Sequence, residues 1–364
     1  MTVRVEFGSL ELTDFGPFGG SQAFSFARAP VGGRCGLTLV TGAGGSGKTS
    51  LITALKLALW GARYVDNEYA MGHGGPGDGE SFTTDWRRYV HAGARRGLSP
   101  LALLRLTLHV GAVGPAASTM VITRSLQVSR HDSVVETLSV ETAGLGEPVR
   151  HAAEDPQDHI SSLLPPRRLT SPFWDCESIE TLADLASLQP RLRGRAINEV
   201  NALVGVNALE RLQDVAPAVI EFGNRLLACG GEEDAPKLLP GADGGRRVCP
   251  ILPGLWISRE PTGATELTCV GSALVLGLHL SSDIQTPLVL DAPTLRMPPD
   301  YSVAFLEALS EVARSQVIIA AHEDSIDDLT VHMWERAHRV YLVEPLRGVC
   351  CTLLNEPMAG CERS

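Results

Sequence analysis

Residues 39–61, LVTGAGGSGKTSLITALKLALWG, constrain what this chain can fold into more than any other stretch. A short apolar run, GLTLV (36–40), feeds directly into Gly42-Ala43-Gly44-Gly45-Ser46-Gly47-Lys48-Thr49-Ser50, which satisfies G-x-x-x-x-G-K-[ST]. The chemistry requires those residue types in that order. Glycines let the backbone turn its N–H groups inward around a phosphate, and the helix that follows adds its positive N-terminal end. Lys48 is expected to reach the β- and γ-phosphates of ATP, and the Thr49 hydroxyl to ligate Mg²⁺. A buried strand before the loop and a helix after it are what the motif needs, so these residues predict an α/β P-loop NTPase. The helix expected over 49–60 is apolar on nearly every side, with Gly61 as its C-terminal stop.

A phosphate loop needs an acid to hold the metal. TPLVLDAPT (286–294) supplies one: an apolar strand with Asp291 at its carboxyl end, where ligands bind in open α/β sheets. Lys48, Asp291 and His322 form the candidate catalytic set, and Thr49 and Asp291 the candidate metal ligands. His322 ends the apolar run QVIIAA (316–321); it reads equally as a γ-phosphate contact and as an ordinary histidine at a strand end.

The remaining pattern organises around these motifs. Residues 3–12 and 22–26 alternate like two strands, and 101–110, 118–128 and 133–142 like three more. Residues 71–85 are too rich in glycine for regular structure. The expected division is an N-terminal ATPase half over 1–150, a helical region over 151–228, a linker over 229–254 and a C-terminal ATPase half over 255–364. In the last of these, helices near 268–281, 299–314 and 326–336 alternate with strands, which implies a parallel sheet.

Composition enters as a filter. The net charge of −11 weighs against autonomous DNA binding, although basic clusters occur at 85–96, 165–169 and 191–195. No run of about 18 apolar residues is present, which argues against a spanning helix. The N-terminus is unlike a signal peptide, so the cytoplasm is the expected location. Eight cysteines without CxxC spacing read as free thiols rather than as a zinc or disulfide framework.

A P-loop near the N-terminus with its partner acid near the C-terminus resembles the ATPase heads of the SMC/RecN type, within the ABC class. Within that group the chain is most similar to the DndD family, ATPases of bacterial DNA phosphorothioate modification. Six stretches carry the resemblance: LTDFGPFGGSQAFSF, GSGKTSLITALKLALWG, WRRYVHAGAR followed by VITRSL, PFWDCESIETLADL, INEVNALVGVNALERLQDV and LVLDAPTLRMPPD. Together they span 3–215 and 265–343.

The resemblance implies an ABC-type head with a mixed sheet and a helical insertion, using ATP and Mg²⁺. It also implies partners among the other subunits of a DNA-modification or defence complex, with DNA reached through them and no membrane. Three departures stand out. The coiled-coil arms are missing. The Leu-Ser-x-Gly-Glu signature reads Ala264-Thr265-Glu266-Leu267-Thr268, with Leu267 for the glycine, whereas a shift to PTGATE restores Gly263. The D-loop acid is replaced by Pro298, with Asp300 close by. The chain thus keeps the phosphate-gripping side and has eroded the side offered to a partner head, which reads against a symmetric ATP-sandwiched homodimer. The expected function is a weakly hydrolysing, DndD-like ATPase subunit. The alternative is a pseudo-ATPase acting as a nucleotide-dependent interaction module; a small-molecule kinase is a more distant third.

Overall fold

A computed structural model describes residues 3–29, 35–62, 64–65, 89–97, 100–112, 118–128, 134–144, 149–150, 155–164, 172–176, 179, 206–231, 235–240, 249–252, 255–259, 261–282, 284–295, 297–321, 336–344 and 352–355. The chain runs β1 (Val3–Phe15), β2 (Phe18–Ser25), β3 (Gly36–Thr41), α1 (Lys48–Trp60), β4 (Leu101–Ala112), β5 (Ser118–Val128), β6 (Val134–Ala143), β7 (Val149–Arg150), α2 (Pro156–Leu163) and β8 (Phe173–Asp175). It continues through α3 (Val206–Leu227), β9 (Leu238–Pro240), β10 (Cys249–Leu252), β11 (Leu255–Ile257), α4 (Ala264–Leu280), β12 (Ile284–Gln285), β13 (Leu288–Asp291), α5 (Pro299–Val312), β14 (Gln316–Ala320), β15 (Arg339–Leu342) and β16 (Thr352–Asn355).

Two large sheets divide the work. One runs β12-β1-β4-β5-β6-β7, with β2 paired to β1; it is antiparallel except where β12 joins β1. The other runs β16-β15-β3-β14-β13-β8 and is parallel apart from β16. In the parallel sheet, side chains alternate between two cores, as a period of two requires. Val289, Ile318 and Ala320 face a core shared with α1 and the antiparallel sheet. Leu288, Leu290, Val317 and Ile319 face a second core built with α3, α4 and α5.

Being covered on both faces explains why α1 is apolar all round. Leu51, Ile52, Leu55, Leu57, Leu59 and Trp60 are buried between β4–β5 on one side and β13 on the other. Its C-terminal end is locked by polar groups. Gly61, at φ 87°, returns its amide to Leu57, while Arg124 donates to the Ala58 carbonyl (3.3 Å) and Gln157 to that of Leu59 (2.9 Å). Arg124 is also paired with Glu136 and with Gln157, so this buried guanidinium has its charge answered.

The expected linker at 229–254 is not structureless. Leu238–Pro240 and Cys249–Leu252 pair with Leu255–Ile257 in a small antiparallel sheet, β10-β11-β9, whose Leu238, Leu255 and Ile257 are buried in the second core. Strands of three and four residues are too short to leave a readable alternation. The helix expected near 268 starts a turn earlier, at Ala264. The glycine-rich stretch at 71–85, the basic clusters at 165–169 and 191–195, and the helix expected at 326–336 up to its last residue lie outside the described residues. Among the described residues, no helix is long and apolar enough to cross a membrane, and Cys35, Cys176, Cys229 and Cys269 are in no disulfide.

Candidate nucleotide-binding site

The parallel sheet positions the site. The fully buried strand β3 ends at Thr41, and the chain turns through Gly42–Gly47 into α1. Three glycines in this loop have positive φ: 147° at Gly42, 73° at Gly45 and 115° at Gly47. Space reinforces the requirement at two of them. A Cβ on Gly42 would lie 2.2 Å from the Val343 carbonyl oxygen, and one on Gly47 would lie 2.8 Å from Pro17 in the β1–β2 turn. At Gly45 there is open space, so only backbone conformation favours glycine there.

The predicted loop residues therefore fall into distinct places. Gly44 and Gly45 are exposed, Ala43 and Gly47 are half-buried, and Ser46 is buried, its amide donating to the Ala43 carbonyl at 3.1 Å. Lys48 is buried at the start of α1, and its ammonium donates to the Gly42 carbonyl, to the Ala43 carbonyl (2.8 Å) and to Ser46 Oγ (3.4 Å). Thr49 is exposed and Ser50 half-buried in the first turn. The N-cap Gly47 offers no side-chain cap, and the first turn holds no acid, so the helix's positive end is not neutralised from within.

Asp291 arrives from β13, separated from β3 by β14. The Thr49 hydroxyl lies near enough to the Asp291 carboxylate to favour its charged form, so the two predicted metal ligands are neighbours. Burial pushes the Asp291 carboxyl above its ordinary value and the charge of Asp175 adds to this, while Thr49, Lys56 and Lys48 pull it back. The backbone next to it is strained: Ala292 has φ 47°, costly for a residue with a Cβ, and its amide is tied to the Ala320 carbonyl at 2.8 Å.

Asp175 was not among the predicted site residues. It is the last residue of β8, in register with Asp291 on the neighbouring strand. The available signal was an aspartate closing the run PFWD, read as a family block rather than as a ligand. The hydroxyl of Thr49 and the carboxylates of Asp291 and Asp175 are hard oxygen donors, the kind Mg²⁺ prefers. A divalent cation would also favour the ionised Asp291 carboxylate, which burial first and then the charge of Asp175 oppose. His322 lies outside the described residues.

The helix start bears on the two readings of the signature segment. α4 begins at Ala264 with Gly263 as N-cap, so the helix mouth is Gly263-Ala264-Thr265-Glu266. Leu267 comes after that mouth and packs against the second core. Glu266 accepts from the Thr262 amide at 2.7 Å and from both terminal nitrogens of Arg259, at 3.0 and 2.7 Å. Burial works against this carboxylate, but the Arg259 and Thr262 bonds outweigh it and hold its pKa below the ordinary value.

Residues 9–141 match the AAA_23 family, an AAA domain. No curated protein matches the sequence. Among solved structures, the chain is similar to the SMC head domain from Thermotoga maritima, with a TM-score of 0.54 and 16% identity over 96% of this chain and 99% of that one. An Smc head bound to the C-terminal winged-helix domain of ScpA gives a TM-score of 0.58 at 14% identity, over 96% of this chain and 98% of that one. An Smc head with an extended coiled coil, bound to the C-terminal domain of ScpA derived from Pyrococcus furiosus, gives 0.53 at 13%, over 96% and 97%. The fold is thus that of a P-loop NTPase resembling SMC heads.

Proposed function

We propose that the chain binds ATP with Mg²⁺ and hydrolyses it slowly, as an SMC-like head working inside a larger complex. One observation carries this reading: Lys48, the glycine loop and the Thr49–Asp291 pair converge at the carboxyl ends of the parallel strands. Loop amides and the Lys48 ammonium would hold the β- and γ-phosphates and stabilise charge on the transferring phosphoryl group. Thr49 and Asp291, with Asp175 beside them, would hold Mg²⁺, which supplies further neutralisation of that charge. ATP occupancy would then bias a conformational or assembly step.

For the complex itself we favour a DNA-modification or DNA-defence system, supported by the ordered DndD-like blocks. SMC heads have been captured with ScpA, so a head of this fold meeting a dedicated partner is a reasonable expectation for this chain too. The test has two arms. Purified chain should bind ATP and release phosphate slowly, only with Mg²⁺; failure to bind ATP at millimolar concentration rejects the reading. Deleting the gene should remove sulfur-substituted phosphodiesters from host DNA; their persistence, or their absence from the parent strain, rejects the phosphorothioation assignment while leaving ATP binding intact.

A second reading, a nucleotide-holding module without turnover, is favoured by the α4 mouth. There the Glu266 carboxylate already takes the Thr262 amide and the Arg259 fork, at the helix end where a partner's phosphate would have to dock. Single-turnover hydrolysis separates the two: tight ATP binding with no Mg²⁺-dependent phosphate release selects the module.

A further inference from the structure

At the end of the parallel strands opposite the phosphate loop lies a groove of about 480 Å³. It opens at an irregularity in the β1–β4 ladder, where Phe7 pairs with Leu108 and Ser9 with Thr107, leaving Gly8 as the extra residue. A Cβ on Gly8 would sit 2.7 Å from His109 Nε2, so the bare glycine is what lets the imidazole approach β1 so closely.

Three elements bring nitrogen cations or donors to this groove. His109 comes from β4, Arg28 from the segment after β2, and Arg339 from the first position of β15. The hydroxyl residues Ser9, Ser25 and Thr107 complete the polar lining, and among the described residues no acid lines it.

Arg28 is held from behind. Its Nε donates to Glu6 Oε2 at 3.1 Å, and the buried Glu6 also takes Arg4 at 3.0 Å and the Ala29 amide at 2.9 Å. The terminal nitrogens of Arg28 have no partner among the described residues, nor does the Arg339 guanidinium. Glu6 is one carboxylate shared by two arginines, so with Arg339 the cluster keeps a net charge of about +2 before His109 is counted. Farther along the same face, Glu11 is already paired with Arg105 at 3.7 Å. Burial, and then the charge of Arg28, hold the His109 imidazole below its ordinary pKa against the opposite pull of Glu6. A positive cluster left uncompensated by the described residues is unexpected in a chain of net charge −11.

We infer that this groove is a second phosphate-binding site, taking a phosphate group carried by a small phosphorylated ligand or by the backbone of a nucleic-acid strand. Two guanidinium forks suit phosphate oxygens, the hydroxyls add neutral donors, and the volume accommodates a mononucleotide. The site is separate from the phosphate loop. Along β15 the step from Arg339 to Leu342, beside the loop, is roughly 10 Å at 3.3 Å per residue.

The test uses the full chain carrying Lys48→Ala, which silences the phosphate loop, so the outcome does not depend on the ATP-binding proposal. Probes are inorganic pyrophosphate, AMP and a fluorescent single-stranded oligonucleotide of about 12 nucleotides. Saturable binding at low salt is expected, falling about 10-fold with Arg339→Gln and measurably with His109→Gln, both with unchanged melting temperature. Binding of pyrophosphate or AMP assigns a small ligand, and binding of the oligonucleotide alone assigns a nucleic-acid backbone. No saturable binding of any probe, or binding indifferent to both substitutions, overturns the proposal.

Discussion

The N-terminal ends of α1 and α4 carry the same positive helix dipole and dispose of it in opposite ways. α1 follows a glycine loop with no side-chain cap and no acid in its first turn. α4 follows Gly263 and places Glu266 in its first turn, where the carboxylate takes the Thr262 amide and the Arg259 fork. One end leaves its donors for a phosphate that must come from outside; the other fills the position with the chain's own carboxylate. A helix terminus therefore becomes a ligand site only where the sequence withholds its internal anion.

The comparison can be broken at either end. Lys48→Ala should give the largest effect, a loss of ATP affinity of about 100-fold, equivalent to roughly 2.7 kcal/mol. The melting temperature without nucleotide should stay unchanged, because the lysine's ammonium bonds to Gly42, Ala43 and Ser46 of its own loop rather than to distant elements. Calorimetric titration and thermal melts check the two halves, and a large drop in melting temperature would show Lys48 to be structural.

Glu266→Gln is the mirror experiment. It should cost about 1 kcal/mol of stability at neutral pH, the scale of a lost cap, and leave ATP affinity unchanged. Its pH dependence follows from the direction of the shift. The folded pKa lies below the ordinary 4.5, so the stabilisation is complete above that value and is lost as pH falls through the folded pKa. Denaturant melts of both proteins should therefore converge in acid and separate toward neutrality.

The smallest effect sharpens the α1 side. The Asp291 carboxyl is pushed up by burial and by Asp175, so folding opposes its ionised form. Without ligand, stability is fully present below the ordinary value of 3.8 and declines as pH rises through the raised folded value. Asp291→Asn should thus raise the melting temperature at neutral pH by a few degrees, on the order of 1 kcal/mol, while abolishing Mg²⁺-dependent turnover. Equal stability of the two proteins at neutral pH would show that Asp291 carries no strain.

What was legible in the sequence follows the same physics. The glycine loop, α1 and Asp291 at its strand end could be read because phosphate chemistry fixes their spacing within single short segments. Asp175 could not be read as a ligand, since its meaning depends on β8 lying beside β13, a pairing between segments more than 110 residues apart. The small sheet of β9–β11 was hidden for a different reason: its strands are too short for periodicity, and its lone buried leucines resemble any linker. The start of α4 depended on whether Gly263 caps it, and Ala264-Thr265-Glu266 is compatible with a start on either side of it until the helix is seen. The Arg28–His109–Arg339 groove left no local trace, because each member comes from a different element and the glycine that admits the histidine sits in an otherwise ordinary strand.

The order of strands in the parallel sheet also has a consequence for synthesis. β3 finds its partners only in β14 and β15, so Thr38 waits for Ile318 and Arg339, about 280 and 300 residues later. At 5–20 residues per second, a ribosome needs roughly 15–60 s to supply them. For that interval the apolar strand that ends in the phosphate loop has no edge to join, whereas β1, β2, β4, β5 and β6 can already zip together. The emerging chain is therefore an assembled antiparallel half carrying an unpaired, hydrophobic strand, and that strand is where a chaperone would be needed and where misassembly would begin.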